Sequence, residues 1–407
     1  MTRRALNTRS ARIPRAVPFG RVAAVTLALL VIGSGVAPGQ AQAQSVFNSG
    51  GLGLQTDPMD ARARGVGGVG VGLSGWQMLM TDPAAAAGLR LPSISGTFQP
   101  SVTQVSGAPE AGGTRFPLVG TSYPFGRHVF TAQFGSLLDQ EWAVTAERLV
   151  DLAAGPTPAL DRYESQGGIG QARLGWATRI GEQLAVGVGV GSLVGSVERR
   201  FTRELESGAV EGGLENFRQV GEWRVSGATA IAGVNWFPSD LLHVGASLEW
   251  VGDMTLAPVR GTEGVDRSYS MPLTLRTGGT FTLAPDVRLV MGVSRADWSG
   301  VDGDLGGDAA RDVVWGYGGG VEWARGTVRG RAFPLRMGYR VQELPFHVRG
   351  EAAEEKALSA GFGINLADAQ DLPLARLDLS VERGSRDAGA LSEEYWRTTV
   401  SLRLAGG

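Results

Sequence analysis

The connections between fourteen short amphipathic segments alternate between long and short, and this alternation constrains the fold more than any other feature of the chain. The segments run from Leu91 to Leu404. Long connections such as 141–170 and 198–221 flank tight links such as Gly181-Glu182. Antiparallel strands joined by long loops at one end and tight turns at the other are typical of outer-membrane β-barrels, which have even strand numbers. The pattern therefore predicts an all-β fold, a 14-stranded antiparallel transmembrane β-barrel over residues 91–407.

Alternation within the segments and aromatic residues at their ends support this prediction. Leu377, Leu379 and Val381 alternate with polar residues, so one face would meet lipid and the other the lumen. Aromatic residues lie beside the long loops (Trp142, Trp223, Trp250, Trp298, Trp315, Tyr395, Trp396) and beside the short turns (Tyr123, Phe125, Trp236, Phe237, Phe281, Phe333). Lipid–water interfaces select two such bands. A large soluble β protein, the alternative, does not predict them.

The first 43 residues have the organisation of a secretory signal peptide. They contain six arginines and no acidic residue, an apolar run over Val22–Ile32, and small residues at Ala41 and Ala43. The apolar run is shorter than the roughly 20 residues of a membrane-spanning helix. We therefore expect residues 1–43 to be cleaved during export to the outer membrane. Without them the chain has a formal charge of −8, which does not suit nucleic acid.

Residues 44–90 differ from the rest in having irregular, glycine-rich sequence. Asp82 can cap a short helix in which Pro83 takes the first position, and Gly88 would end that helix. Irregular backbone is not tolerated against lipid, because its polar groups would lack partners. The segment is therefore expected in the periplasm or inside the lumen, where a segment of this length can fill a 14-stranded barrel.

Several short motifs resemble one family of outer-membrane proteins. Asp82-Pro83-Ala84-Ala85 is similar to the Asn-Pro-Ala-Ala-Leu-type motif in the N-terminal plug of the FadL-type transporters for long-chain fatty acids, with Asp in place of the usual Asn. The barrel-end segments resemble those of the wider superfamily, which includes the PorV-type barrels of protein secretion; they are Leu335–Arg340, Ala357–Gly363 and Leu379–Gly384. The resemblance implies that 44–90 is a plug, and that Asp82, Pro83 and Ala84 form its motif.

The resemblance also implies a function. FadL-type barrels capture a hydrophobic ligand at outer loops, pass it to the lumen and release it sideways through a gap in the third strand. Glycine and bulges supply such gaps, and Phe134-Gly135-Ser136 lies midway along the third predicted strand, although an ordinary lumen-facing glycine is the simpler interpretation of Gly135. For capture, Val144, Leu149 and Leu152 would form the apolar face of a short helix in loop 141–170.

No enzyme signature accompanies these features. The chain has no cysteine, and its three histidines, His128, His243 and His347, lie on different segments. We predict no catalytic residues, no cofactor and no metal. Expected partners are hydrophobic small molecules such as fatty acids, outer-membrane lipids and the barrel-assembly machinery. The alternative is a PorV-like structural barrel that binds secretion-system proteins.

Overall fold

The computed structural model describes residues 45–105, 110–152, 155–205, 216–305, 310–328, 330–369 and 372–406. The predicted signal peptide over residues 1–43 lies outside these ranges. Among the described residues, no helix is both long enough and apolar enough to cross a membrane.

Fourteen antiparallel strands form one closed barrel within the described ranges. In chain order they are β1 (Ser93–Val105), β2 (Ala111–Phe125), β3 (His128–Asp139), β4 (Gly155–Ile180), β5 (Leu184–Leu205), β6 (Asn216–Ser239), β7 (Leu242–Val251), β8 (Thr274–Ala284), β9 (Val287–Asp297), β10 (Val313–Trp323), β11 (Leu335–Glu343), β12 (Glu354–Ala369), β13 (Leu372–Ala388) and β14 (Leu391–Ala405). Each strand pairs with the next, and β14 pairs with β1, with Ser93 opposite Ala405. The predicted fold class is confirmed.

The two faces of the barrel wall follow from alternation along each strand. In β11, Met337 and Tyr339 are exposed on the outside, whereas Arg336 and Arg340 are buried on the inside. Side chains of successive strand residues point to opposite faces, so an apolar exterior and a polar interior are built by one period-two pattern. This arrangement suits a barrel whose outer surface contacts lipid.

Strands β4–β6 extend well beyond their neighbours at the long-loop end. They have 26, 22 and 24 residues, whereas β7 has 10. A further strand, Trp142–Leu152, follows β3 at the long-loop end and pairs with β4, with Trp142 opposite Ser165. The helix expected in loop 141–170 is therefore wrong. Its residues form a β-hairpin instead, because β-branched Val144, Thr145 and Val150 suit an extended strand with a long partner.

The remaining elements are short. Residues 45–90, which we call the N-terminal segment, contain a 3-10 helix (Val46–Ser49), a two-residue strand (Leu54–Gln55), an α-helix (Ala61–Gly65) and a second 3-10 helix (Pro83–Ala86). Elsewhere there are strands at Met254–Pro258, Arg267–Tyr269, Thr327–Val328 and Arg331–Ala332, and a helix at Ser299–Leu305. Aspartates cap two of the helices in the N-terminal segment. Asp60 accepts a hydrogen bond from the Ala63 amide, and Asp82 accepts one from the Ala85 amide.

Candidate functional site

The N-terminal segment contacts the inner face of the barrel on several sides. Arg62 binds Glu322 of β10 at 3.0 Å, and the Ala61 amide donates to Ser401 of β14 at 2.8 Å. The Ser74 amide donates to Thr280 of β8 at 3.1 Å. At one end of the segment, Ser45 donates to Glu393 of β14 at 2.8 Å. Its backbone is therefore satisfied by inward-facing polar side chains of the wall.

Glycines on the inner face let the backbone of the segment lie directly against the wall. A β-carbon on Gly278 or Gly318 would collide with the carbonyl oxygens of Val71 and Gly67. Gly338 of β11 likewise leaves no space for a side chain beside Gly67. Glycine at alternate strand positions thus supplies a smooth inner surface for close backbone approach.

The predicted motif residues lie at one such contact. Asp82 is fully buried and accepts from Asn235 of β6 at 3.0 Å, from the Gly72 amide at 3.2 Å and from the Ala85 amide at 3.2 Å. Burial outweighs these hydrogen bonds and raises the pKa of the Asp82 carboxyl to about 6. Pro83 packs on Gly187 and Gly233 of the wall, and Ala84 is buried. The partner Asn235 was not singled out from the sequence, because nothing local marks a residue 153 positions away.

Arginine–carboxylate networks fill much of the remaining interior. One joins Arg173 and Arg276 to Glu249, at 2.5 and 2.6 Å. A second joins Arg62, Arg288 and Arg336 to Glu322, and Arg336 and Arg376 to Asp378. A third joins Arg340 and Arg386 to Glu355, and Arg386 to Glu393. Such buried charges are tolerated because each is paired and hydrogen-bonded.

The pairing between β2 and β3 stops midway along β3. The last paired residues are Leu118 and Gly135. Beyond them, β3 is paired on that edge with the N-terminal segment: Gln55 lies opposite Leu138, and the Thr56 amide donates to the Leu137 carbonyl at 2.8 Å. Two barrel strands that are neighbours at the short-turn end are thus separated at the long-loop end, and a piece of the N-terminal segment takes the place of β2.

A cavity of about 270 Å³ lies at this separation. Phe134, Leu138, Ile169 and Val194 provide its apolar lining. One ion pair crosses from β2 to β3 at its edge, between Arg115 Nη2 and Asp139 Oδ2 at 2.8 Å. The β2–β3 ladder is therefore interrupted where an apolar space adjoins it.

The three residues predicted for a lateral opening surround the end of the ladder in different ways. Phe134 faces outward and is exposed, and Ser136 lines the cavity. Gly135 faces inward, where a β-carbon would lie 2.5 Å from the Met80 sulfur and 2.6 Å from Pro58 Cβ. The glycine thus accommodates the N-terminal segment.

An apolar cluster extends from the cavity toward the long-loop end. It includes residues of seven barrel strands and of the segments folded over them: Leu52, Leu137, Leu138, Ile169, Leu193, Val225, Val251, Met254, Ala296, Trp298, Val301, Ala310, Val314 and Phe346. Trp298 and Phe346 pack edge to face with centroids 5.2 Å apart. Leu138 and Ile169 belong to both the cluster and the cavity lining. This apolar interior contrasts with the charged wall built by β11–β14.

Comparison with known proteins identifies the class of fold. No protein-family model matches the chain, and no curated protein matches its sequence. Solved structures do match. The CymD monoaromatic hydrocarbon channel is 14% identical with a TM-score of 0.56, covering 85% of this chain and 97% of its own. The Ralstonia pickettii toluene transporter TbuX is 12% identical with a TM-score of 0.57, covering 86% and 98%.

A Pseudomonas aeruginosa FadL homologue is similar to the same extent. It is 11% identical with a TM-score of 0.57, covering 86% of this chain and 99% of its own. The protein therefore has the fold of the FadL-type 14-stranded barrels, as the sequence resemblance implied. At these identities the likeness concerns the fold.

Proposed function

We propose that this protein is an outer-membrane channel through which hydrophobic molecules pass without energy input, leaving the lumen sideways between β2 and β3. The observation that carries this proposal is the end of the β2–β3 ladder at Gly135, beside an apolar cavity of about 270 Å³. A continuous ladder would present a closed wall of paired backbone, whereas an interrupted one leaves a passage toward lipid.

The apolar cluster supports a route to that passage. Its members run from Trp298 and Phe346, near the long loops, to Leu138 and Ile169 at the cavity. The members are buried against one another, so a ligand would have to part them, and their apolar side chains would then offer it a more favourable environment than water. In outer-membrane barrels the long loops face outside the cell and the short turns face the periplasm. Capture would therefore occur at the long-loop end.

The N-terminal segment would act as a plug over residues 44–90. Its contacts with β6, β8, β10 and β14 support this role, because a segment bound to four strands of the inner wall would obstruct an axial path for water and ions. The strand Leu54–Gln55 covers the inner side of the separation between β2 and β3. Lateral release would then be coupled to movement of this segment.

The substrate class is the finer part of the proposal. The sequence resemblance points to long-chain fatty acids, whereas two structural neighbours are described as transporting toluene or monoaromatic hydrocarbons. Both substrates are apolar over most of their surface and suit the cluster. The cavity does not distinguish them, so both belong in the test.

Filling the opening tests the route. Ser136 lines the cavity, and Ser136→Trp would place an indole in it. Leu174→Trp is the matched control, because Leu174 faces outward, is 67% exposed and has intact ladders on both sides. Uptake of labelled toluene and of a labelled long-chain fatty acid would be measured in cells carrying the wild type, either variant, or no protein.

We expect Ser136→Trp to reduce uptake severalfold and Leu174→Trp to leave it at the wild-type rate. The substrate whose uptake depends on the wild-type protein is the one transported. Equal uptake in all four strains would reject the channel and favour the secretion-associated barrel. If uptake depends on the protein but cells carrying Ser136→Trp take up substrate at the wild-type rate, lateral exit is rejected.

A further inference from the structure

A second cavity, of about 200 Å³, lies at the short-turn end of the lumen beneath the N-terminal segment. Its lining includes Arg376 and Arg403 on the wall and Trp76 and Gln77 on the segment. The cavity is several times larger than the ~30 Å³ that one water occupies in the liquid. It is separate from the apolar cavity beside β3, and its lining is rich in hydrogen-bond donors.

Two arginines lie directly opposite each other in this cavity. Arg376 of β13 and Arg403 of β14 are cross-strand partners. Like charges in that position repel and destabilise a sheet. Arg376 is compensated by Asp378, with Nε to Oδ2 at 2.8 Å. Among the described residues no carboxylate forms an ion pair with Arg403, whose Nη1 donates to the Trp76 carbonyl at 3.1 Å.

The other acidic groups around the cavity are already engaged. Asp60 accepts from the amide of Ala63 at the start of its helix. Asp378 binds both Arg336 and Arg376. Arg62, the third arginine of the lining, is bound by Glu322. The guanidinium of Arg403 therefore has no direct ion-pair partner among the described residues in a largely enclosed space, although the carboxylates of Asp378 and Asp60 act on it from a distance.

Gln77 provides an independent sign of a missing acceptor. Its side chain is more than nine-tenths buried, and its Oε1 accepts from Arg62 Nη1 at 3.3 Å. Its Nε2 is buried and has no partner among the described residues. A buried donor without an acceptor costs free energy, and native proteins rarely leave one unexplained. An acceptor bound in the cavity would pair with Arg403, and a rotation of the Gln77 side chain toward the cavity would let Nε2 pair with the same acceptor.

We propose that this cavity binds a small oxyanion, a carboxylate or a phosphate, through the guanidinium of Arg403 and the side-chain amide of Gln77. The guanidinium and the Gln77 amide nitrogen are both donors, and guanidinium binds planar or tetrahedral oxyanions with charge-assisted hydrogen bonds. This site is independent of the lateral route and of the proposed transport function. The anion would stabilise the contact between the N-terminal segment and strands β13 and β14.

Binding would be measured on the mature chain in non-ionic detergent, from the thermal midpoint of unfolding in phosphate, acetate or chloride at equal ionic strength. A ligand that binds the native state raises this midpoint with its concentration. We expect phosphate, acetate or both to raise it above chloride. Arg403→Gln should weaken the binding by roughly tenfold or more, as expected for loss of a charged hydrogen bond. Arg325→Gln, at an exposed arginine of the same end, should not change it.

Gln77→Glu tests the same site in the opposite direction. The side chains are nearly isosteric, and Glu would still accept from Arg62 while presenting a carboxylate to the cavity. We expect its midpoint in chloride to exceed that of the wild type and to rise no further with phosphate or acetate. Identical wild-type midpoints in all three salts would overturn the proposal. So would oxyanion responses in Arg403→Gln and Gln77→Glu that equal the wild-type response.

Discussion

At the scale of single residues, Asp82 shows how burial changes the meaning of a substitution. The related motif has Asn at this position, and the carboxylate here is surrounded by donors: Asn235, Gly72 and Ala85. No cation pairs with Asp82 among the described residues, so desolvation is only partly offset and the carboxyl is easily protonated. Asp82 caps its helix as the sequence predicted, yet burial disfavours the charged form of its carboxyl.

The stability of the protein should therefore depend on pH through Asp82. Its pKa is raised from 3.8 to about 6, so the native state holds the proton more tightly than the unfolded chain. This contribution is complete below about pH 4 and is lost as the pH rises through 6, by roughly 3 kcal/mol. Asp82→Asn should remove that dependence. Thermal midpoints from pH 4 to 8, compared between the two proteins, would show it; parallel curves would contradict it.

Gly135 shows what the sequence could not indicate. A glycine midway along β3 is compatible with broken pairing, so Gly135→Val would favour a continuous ladder if the glycine alone set the opening. The inward contacts with Met80 and Pro58 give that substitution a different effect, because a β-carbon would push against the N-terminal segment. Neighbours about 55 to 77 positions away in the chain leave no local signature. Ser136 is the better position for testing the opening.

At the scale of elements, the two-residue strand Leu54–Gln55 completes the pairing of β3 at the long-loop end. It is the strand that pairs with β3 where β2 does not. Gly53 precedes it with φ of +96°, and a β-carbon there would collide with the Asp139 carbonyl. The pairing thus depends on a backbone conformation and a close approach that glycine alone permits.

Gly53→Ala should release this strand from β3. Because the chain has no cysteine, Leu138→Cys can report the release through its rate of labelling by a maleimide. Leu138 is only 2% exposed, so labelling should be slow alone and at least severalfold faster when combined with Gly53→Ala. Gly126→Ala is the control, since Gly126 has φ of +60° but no neighbours around its α-carbon. The same rate in both combinations would mean that the strand stays paired.

Strand elements were more predictable than the loops between them. Period-two alternation located all fourteen strands, because membrane-facing and lumen-facing environments impose it directly. The hairpin at Trp142–Leu152 escaped prediction, since its apolar residues also fit a helical spacing. Only the partner strand β4, extending to Gly155, decides between the two.

At the scale of the whole molecule, the barrel and its N-terminal segment form one packed interior. The sequence was sufficient for the strand number and for the irregular, glycine-rich character of the N-terminal segment. It was insufficient for pairing that segment with particular strands, because the contacts join residues such as Ala61 and Ser401. These pairs depend on the tertiary structure and have no local pattern in the sequence.

Deleting residues 55–88 should leave a folded barrel with a wider axial path. None of the deleted residues belongs to the fourteen barrel strands, although Gln55 pairs with β3, so closure is retained. Single-channel conductance in planar bilayers should increase severalfold over the wild type. Heat-dependent migration on gels would verify that the barrel has formed. An unchanged conductance in a folded barrel would show that the segment does not obstruct the lumen.

Because the last strand closes the barrel, some contacts of the N-terminal segment can form only late in folding. Ser45 and Ala61 bind Glu393 and Ser401 of β14, across separations of 348 and 340 residues. These bonds cannot form before the final strand arrives, and contacts between such distant residues are slow to assemble. The network around Glu322 is likewise complete only when the N-terminal segment brings Arg62 to it. We expect its charges to lose their water at that step, so that the last kinetic phase of folding would be a dehydration of charge.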